Sequence, residues 1–446
     1  MKKIDLTITA LSPLAIGRQK PGGSVSEALN YIPGTVIRGA IASQILQHYE
    51  FSQDNNQVIE ENDDFQALFL GEEPAIFRNG YPSVAKIDKD TFKIVKNEEV
   101  LFLPTTAVSS KIESGFKPSN NGVFDTLIDN FCAEAFNLAY DPNDPKSLED
   151  GTEPRVEPYS GFYSKGREDK KDKYYSHSVN TRFLTRVGIN RRRATSEENI
   201  LYSIEVLNES FSKSTKSKSW ENVVYRSSIL VENEELAKKL KCFINNQTFR
   251  LGGSASRGLG KVEMKAEIID YTSEIKLRID KFNSTLETRW KLWNSLFGNP
   301  NIELENQSKI NQNKTNKTSI NTDITYFTLN LQSDAILTEK WRSTTVISEA
   351  ILKQFTGVKD ESLKLEVAYS SYDYRSGWNS AWGLMKDVEL VTNKGGVYLF
   401  STTQPNDWYQ AFAELELKGI GEKTCEGFGQ VKICQDFHLI LREDAV

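Results

Sequence analysis

Apolar and polar residues alternate from the first positions of the chain. Ile4, Leu6, Ile8 and Ala10 are set against Asp5, Thr7 and Thr9, a pattern that predicts a half-buried strand. The strand ends at Ser12-Pro13-Leu14-Ala15-Ile16-Gly17-Arg18, and a polar, glycine-rich stretch follows. Ile32-Pro33-Gly34-Thr35 then opens a helix with Thr35 as its expected N-cap; Ile37, Ile41 and Ile45 repeat at helical spacing through Gln47. The same beginning recurs near residue 325. Phe327, Leu329 and Leu331 alternate with Thr328, Asn330 and Gln332, and Ser333 to Thr338 echoes Ser12 to Gly17.

Two glycine-rich runs strengthen the impression of a duplication. Placing Gly252 on Gly421 sets Gly258 on Gly427 and Gly260 on Gly429. Each run enters an alternating strand: Val262, Met264, Ala266 and Ile268 after the first, Val431 and Ile433 after the second. Strands early and late in each half, with a helix after the first, give the layout of a ferredoxin-like βαββαβ module. The expected fold class is therefore α+β, with two ferredoxin-like, RRM-like domains whose helices cover one sheet face and leave the other open. The expected boundaries are an N-terminal domain over 1–270, a helical segment and Asn-rich linker over 271–323, and a C-terminal domain over 324–446. Asp141 to Pro158 and Lys165 to Lys173 read as insertions in the first domain, and Glu305 to Asp323 as a polar linker.

Glycine lets backbone approach a ligand closely, and small-residue runs can offer several N–H groups to one phosphate. Neither glycine run is a nucleotide-triphosphate loop. Leu259 and Gly260 stand where a Walker motif needs Lys and Ser/Thr, and a strand rather than a helix follows both runs. The competing reading is a tight glycine turn with no ligand.

Composition narrows the classes. At 446 residues the chain exceeds one typical domain, and its net charge of −6 argues against a freestanding nucleic-acid binder. It leaves room for a subunit that meets nucleic acid on one face and protein on others. Cys132, Cys242, Cys425 and Cys434 lack metal-site spacing, so reduced cytoplasmic thiols and no metal or cofactor are expected. No run is apolar enough to span a membrane. Lys165 to Arg193 is locally basic, with ten Lys/Arg against Glu168, Asp169 and Asp172, and is interleaved with Tyr174, Tyr175 and Phe183. Such interleaving suits single-stranded RNA. Arg182, Arg186, Arg191, Arg192 and Arg193 are the expected contacts, against the alternative that Arg192 or Arg193 pairs with Glu197 or Glu198. Tyr369, Tyr372, Tyr374, Trp378 and Trp382 cluster around Arg375, as a partner interface or as core.

Several motifs together resemble the RAMP superfamily of CRISPR-associated proteins: Leu11 to Gly17, Tyr31 to Ala40, Arg186 to Arg191 running into Leu201-Tyr202, and both glycine loops. The length and double-domain plan, with Lys394 to Phe400, most resemble the type III-D subunit family Csx-ten, a relative of the Cas-five group. That resemblance implies a non-catalytic subunit of an antiviral effector ribonucleoprotein. It would hold the repeat-derived 5′ tag of CRISPR RNA beside a Cas-ten-like large subunit and Cas-seven-like backbone subunits, meeting target RNA only indirectly. The implied RNA contacts are Gly17, Arg18, Arg38, Gly39, Gly252, Gly253, Ser254, Ser256, Arg257, Gly258, Gly260 and Lys261. Lys423, Gly427 and Phe428 are the implied contacts of the second loop, where Glu426 replaces the Arg257 of the first. That replacement weakens its case for phosphate and favours packing against the first domain. Two rivals remain. One is a metal-independent endoribonuclease resembling the Cas-six group, with His48 or His177 as general base, His177 being the more accessible candidate. The other is a scaffold whose glycine loops only turn the chain.

Overall fold

A strand over Lys2–Ala10 runs between antiparallel neighbours Val224–Val231 and Lys261–Ile269, with Ile4 opposite Ile229 and Ile268. In this computed structural model the described residues are 1–18, 27–51, 64–87, 91–95, 98–117, 122–143, 155–168, 171–190, 192–193, 195–214, 219–271, 273–298, 324–379 and 383–446. The first sheet is ordered Ile76–Phe77, Val224–Val231, Lys2–Ala10, Lys261–Ile269, Thr248–Arg250. A helix over Gly34–Phe51 follows its first strand, and a helix over Glu234–Asn245 precedes its last long one. The expected helix residues Ile37, Ile41 and Ile45 are fully buried, as are the strand residues Ile4, Leu6, Ile8 and Ala10. These side chains merge into one apolar core because strand period 2 and helix period 3.6 both aim them inward.

The second module repeats the plan. Its sheet is ordered Lys364–Tyr369, Val397–Thr402, Thr325–Leu331, Val431–Ile433, with helices over Glu349–Thr356 and Trp408–Lys418. Ser348 caps the first of these by accepting from the Ile351 N–H at 3.2 Å, and Gly357, at φ +71°, ends it. The chain is thus mixed α+β and strand-rich, consistent with ferredoxin-like domains.

Three expectations are corrected. The opening helix starts at Gly34, and its N–H donates to Asn79 Oδ1 at 2.8 Å, so the cap comes from a distant loop rather than from Thr35. Lys165 to Lys173 is not a loop but part of a hairpin pairing Phe162–Glu168 with Lys171–His177. The second sheet has no open face. Thr328 and Asn330 are fully buried, because the Ile275–Phe297 helix and residues 434–441 of the chain's end pack across them. The helix over Leu127–Ala135, from the expected first domain, joins that second core through Leu127, Ile128 and Cys132. The Asn-rich linker lies outside the described residues.

Candidate functional site

The two glycine loops are built on one hydrogen-bond pattern. In the first, Leu251 N–H bonds Gly260 O, Gly253 N–H bonds Ala15 O at 2.9 Å, and Gly260 N–H bonds Pro13 O at 2.9 Å. In the second, Ile420 N–H bonds Gly429 O, Glu422 N–H bonds Ile336 O at 2.9 Å, and Gly429 N–H bonds Asp334 O at 2.9 Å. Each loop carries a single 3-10 turn, Ala255–Arg257 or Thr424–Glu426. Each turn is entered by a left-handed residue, Ser254 at φ +59° or Lys423 at φ +55°, and left by a left-handed glycine, Gly258 or Gly427. Glycine is required at Gly252 and Gly421, because a Cβ would stand 2.4 Å from Ala15 O and 2.3 Å from Ile336 O. Each loop therefore clasps the segment that follows the first strand of its own module.

This architecture settles where the loop amides go. The N–H groups of Gly253, Arg257, Gly258, Leu259 and Gly260 bond to main-chain carbonyls, and that of Lys261 to Ser12 Oγ at 2.8 Å. Among the described residues, the N–H groups of Gly252, Ser254, Ala255 and Ser256 have no partner in the chain, the last two as in the first turn of any helix. The expectation that the whole run offers its amides is narrowed to these four.

A cleft of about 1060 Å³ lies between the loops. Gly17, Gly39, Gly252, Gly253 and Ser254 line it from the first module, and Lys423, Glu426 and Phe428 from the second. Gln44 and Gln47 of the opening helix line it, with Arg250 and Lys386, none of them an expected contact, and with Arg375 of the aromatic cluster. Gln44 and Gln47 had a legible signal, since they sit on the polar side of the helix bearing Gly39. The lining charges balance: Arg250, Arg375, Lys386 and Lys423 against Glu205, Asp387, Glu389 and Glu426. Lys423 is ion-paired with Glu389 and Arg375 with the buried Asp334, while Arg375 Nη1 donates to the Tyr31 hydroxyl at 2.9 Å. Burial, reinforced by Asp334, pushes that hydroxyl up to about 12, so it stays protonated.

Other expected contacts fall elsewhere. Arg38 donates to Phe69 O at 2.6 Å and lies over the Phe69 ring, which draws it beneath the opening helix rather than into the cleft. Arg182 pairs with Glu209 at 2.8 Å and donates to Asn208 at 2.9 Å at the hairpin base. Arg186 lies on the long hairpin Thr181–Asn190/Thr195–Leu207, with Arg192 and Arg193 between its strands. The inner face of this hairpin, Leu184, Ile204 and Val206, packs on Ala15 and Leu259 of the first loop. Tyr202 binds Arg257 there: its hydroxyl is 2.7 Å from Nη1 and its ring lies under the guanidinium. The outer face exposes Phe183, Val187, Ile189 and Leu201. Tyr174 and Tyr175 are buried, Tyr174 among Phe116, Tyr163 and Phe437, and cannot stack on bases. Gly427 is buried against the first module, its carbonyl accepting from Asn79 Nδ2 at 3.1 Å. Arg191, and the side chains of Arg18 and His48, lie outside the described residues.

The catalytic rival loses its more accessible base. His177 is buried, its Nε2 2.9 Å from Ser164 Oγ, and burial pushes its pKa down to about 4. Asp125 and Asp129 are buried as well, the first against Thr106 and His438, the second against Arg289 and Trp293. Among the described residues no group of three or more His, Cys, Asp or Glu side chains is placed to hold a metal, and no helix is long and apolar enough to cross a membrane.

No curated protein sequence matches the chain. Among solved structures, a chain in the type III-B Cmr-beta complex bound to cognate target RNA and AMPPnP is 13% identical. That alignment covers 91% of this chain and 88% of that one, with a TM-score of 0.37. Oligomeric Cmr4 from Pyrococcus furiosus is 12% identical over 60% of this chain and 100% of its own, at a TM-score of 0.26. Similarity this distant carries no role across. The sequence model of the RAMP superfamily, by contrast, matches residues 7–263. That stretch takes in the end of the opening strand, the Tyr31 to Ala40 motif and the first glycine loop, more than half of the 446 residues, and the chain belongs to the RAMP superfamily.

Proposed function

We propose that this chain is a non-catalytic, RNA-binding subunit of a type III CRISPR effector ribonucleoprotein. It holds the repeat-derived 5′ tag of the CRISPR RNA, between a Cas-ten-like large subunit and Cas-seven-like backbone subunits. The carrying observation is the cleft that gathers Gly17, Gly39, Gly252, Gly253 and Ser254 with Lys423 and Phe428. In this reading the strand passes the first loop, where Arg257 and Lys261 follow the open loop amides in the chain. The basic hairpin tip with Arg192 and Arg193 adds electrostatic attraction. Membership in the III-D Csx-ten family is part of the proposal. The balanced charge of the cleft suits a subunit whose RNA affinity is completed by its neighbours.

The test is binding of repeat-derived RNA by fluorescence anisotropy over a salt series. Arg257→Ala with Lys261→Ala is expected to weaken binding and to lower the salt slope by about 1.4, at about 0.7 per single-strand phosphate contact. Unchanged affinity and slope would remove the proposal. The scaffold reading is favoured for the second loop alone, because the Gly427 carbonyl is taken by Asn79.

A further inference from the structure

Trp341 is 98% exposed, at the tip of a two-residue hairpin that pairs Leu337–Glu339 with Arg342–Thr344. Both turn residues are left-handed, Lys340 at φ +49° and Trp341 at φ +66°. Such turns favour Asn-Gly, since a Cβ is disfavoured there and a branched aromatic gains nothing from the geometry. Neither the turn nor any core accounts for a tryptophan at this position. Cations stand on both sides of it. Lys340 and Arg342 are exposed, and among the described residues neither has an ion-pair partner. Glu339 faces Arg342 across the ladder, but its carboxylate accepts instead from Ser348 Oγ at 3.0 Å.

The hairpin is braced toward the cleft. Thr338 Oγ1 donates to Glu422 of the second glycine loop at 2.6 Å, and strand Arg342–Thr344 packs beside Glu389–Thr392, which carries a cleft-lining residue. The hairpin therefore stands beside elements at the second-module end of the cleft. An exposed indole between two uncompensated cations has the chemistry for one unpaired base with its flanking phosphates.

We propose that Lys340, Trp341 and Arg342 form a stacking prong for single-stranded RNA beyond the cleft, a site separate from the glycine loops. This rests on the RNA-binding reading above. The full-length protein is titrated into a fluorescein-labelled oligouridylate, with Trp341→Ala, Trp341→Phe, Lys340→Ala/Arg342→Ala and Arg257→Ala/Lys261→Ala in parallel; circular dichroism confirms that each is folded. Trp341→Ala is expected to weaken binding about 10-fold, within the range for one stacked base, and Trp341→Phe to restore most of it. Lys340→Ala/Arg342→Ala is expected to lower the salt slope by about 1.4. If Trp341→Ala binds like the parent while Arg257→Ala/Lys261→Ala weakens, the prong is refuted and the RNA-binding reading stands. If the parent does not bind the oligomer, both fall. Loss of a protein neighbour from the reconstituted complex on Trp341→Ala, with RNA affinity unchanged, would equally overturn the prong and mark the tip as a protein contact.

Discussion

Gly34 and Gly427 sit against each other across the two modules: a Cβ built on Gly427 would stand 3.2 Å from the Gly34 Cα. Asn79 locks the pair, accepting from the Gly34 N–H at 2.8 Å and donating to the Gly427 carbonyl at 3.1 Å. A Cβ on Gly34 would lie 2.0 Å from Phe77 O and 2.7 Å from Glu426 O, both main-chain atoms that have little room to yield. Gly34→Ala should therefore destabilise the protein by about 1–3 kcal/mol, the usual range for overpacking, or more if the modules part. Urea unfolding measures it. An unchanged midpoint would mean that the modules are not packed this way.

Arg289 reaches Asp129 and Glu443, which differ in burial. Asp129 is buried, with Arg289 Nη2 2.9 Å from Oδ2 and Trp293 Nε1 3.0 Å from Oδ1, whereas Glu443 is largely exposed. Removing the guanidinium strands a buried carboxylate; removing the outer carboxylate releases a screened pair. Arg289→Ala should cost about 3–5 kcal/mol. Glu443→Gln should cost at most about 1 kcal/mol. Equal losses in chemical denaturation would contradict the assignment of Asp129 as the buried partner.

Much of this arrangement could be read from local pattern, and the unread part has a common cause. Ile4, Leu6, Ile8 and the Ile37, Ile41, Ile45 stripe announce their burial because the period alone decides it. The sister loops were legible because their repeated glycines stand at positive φ, at Gly252, Gly258 and Gly260 as at Gly421, Gly427 and Gly429, where a side chain is disfavoured. Thr328 and Asn330 were misread as facing solvent. Their alternation matches an open face, and the groups that cover them, Cys434 and His438, lie more than a hundred residues further on. Arg38 and Arg182 looked like free cations for the same reason: the Phe69 carbonyl and Glu209 that satisfy them come from other elements. Charge at a position is local information, whereas its neutralisation is tertiary.

His177 gives the protein an acid-labile point. An exposed histidine in the unfolded chain titrates near pH ~6.5, whereas burial holds the folded one down to about 4. As pH falls below ~6.5 the unfolded state takes up a proton that the folded state refuses, so stability drops, and the loss is complete near the folded value. Linkage gives about 2 kcal/mol of that loss by about pH 5. His177→Gln keeps a polar group near Ser164 without the titration. The difference between parent and variant in unfolding free energy should shift by that amount between about pH 7.5 and about pH 5. A difference independent of pH would mean that His177 is solvated.

Gly258 and Gly427 occupy the same position of sister loops, at φ +87° and φ +95°, in opposite surroundings. A Cβ on Gly258 meets nothing within 4 Å, while one on Gly427 would lie 2.7 Å from Asn79 Oδ1 and 3.0 Å from Phe77 O. Asparagine tolerates the left-handed region better than other residues with a side chain, so Asn at either site isolates the steric contribution from the backbone one. Gly258→Asn should cost about 1 kcal/mol or less. Gly427→Asn should cost about 1–3 kcal/mol more, because its side chain enters the packed seam between the modules. Thermal unfolding of the two variants decides it. Comparable losses would show that both loops are equally open, and with that the division of labour between a ligand-facing first loop and a structural second one would lose its basis.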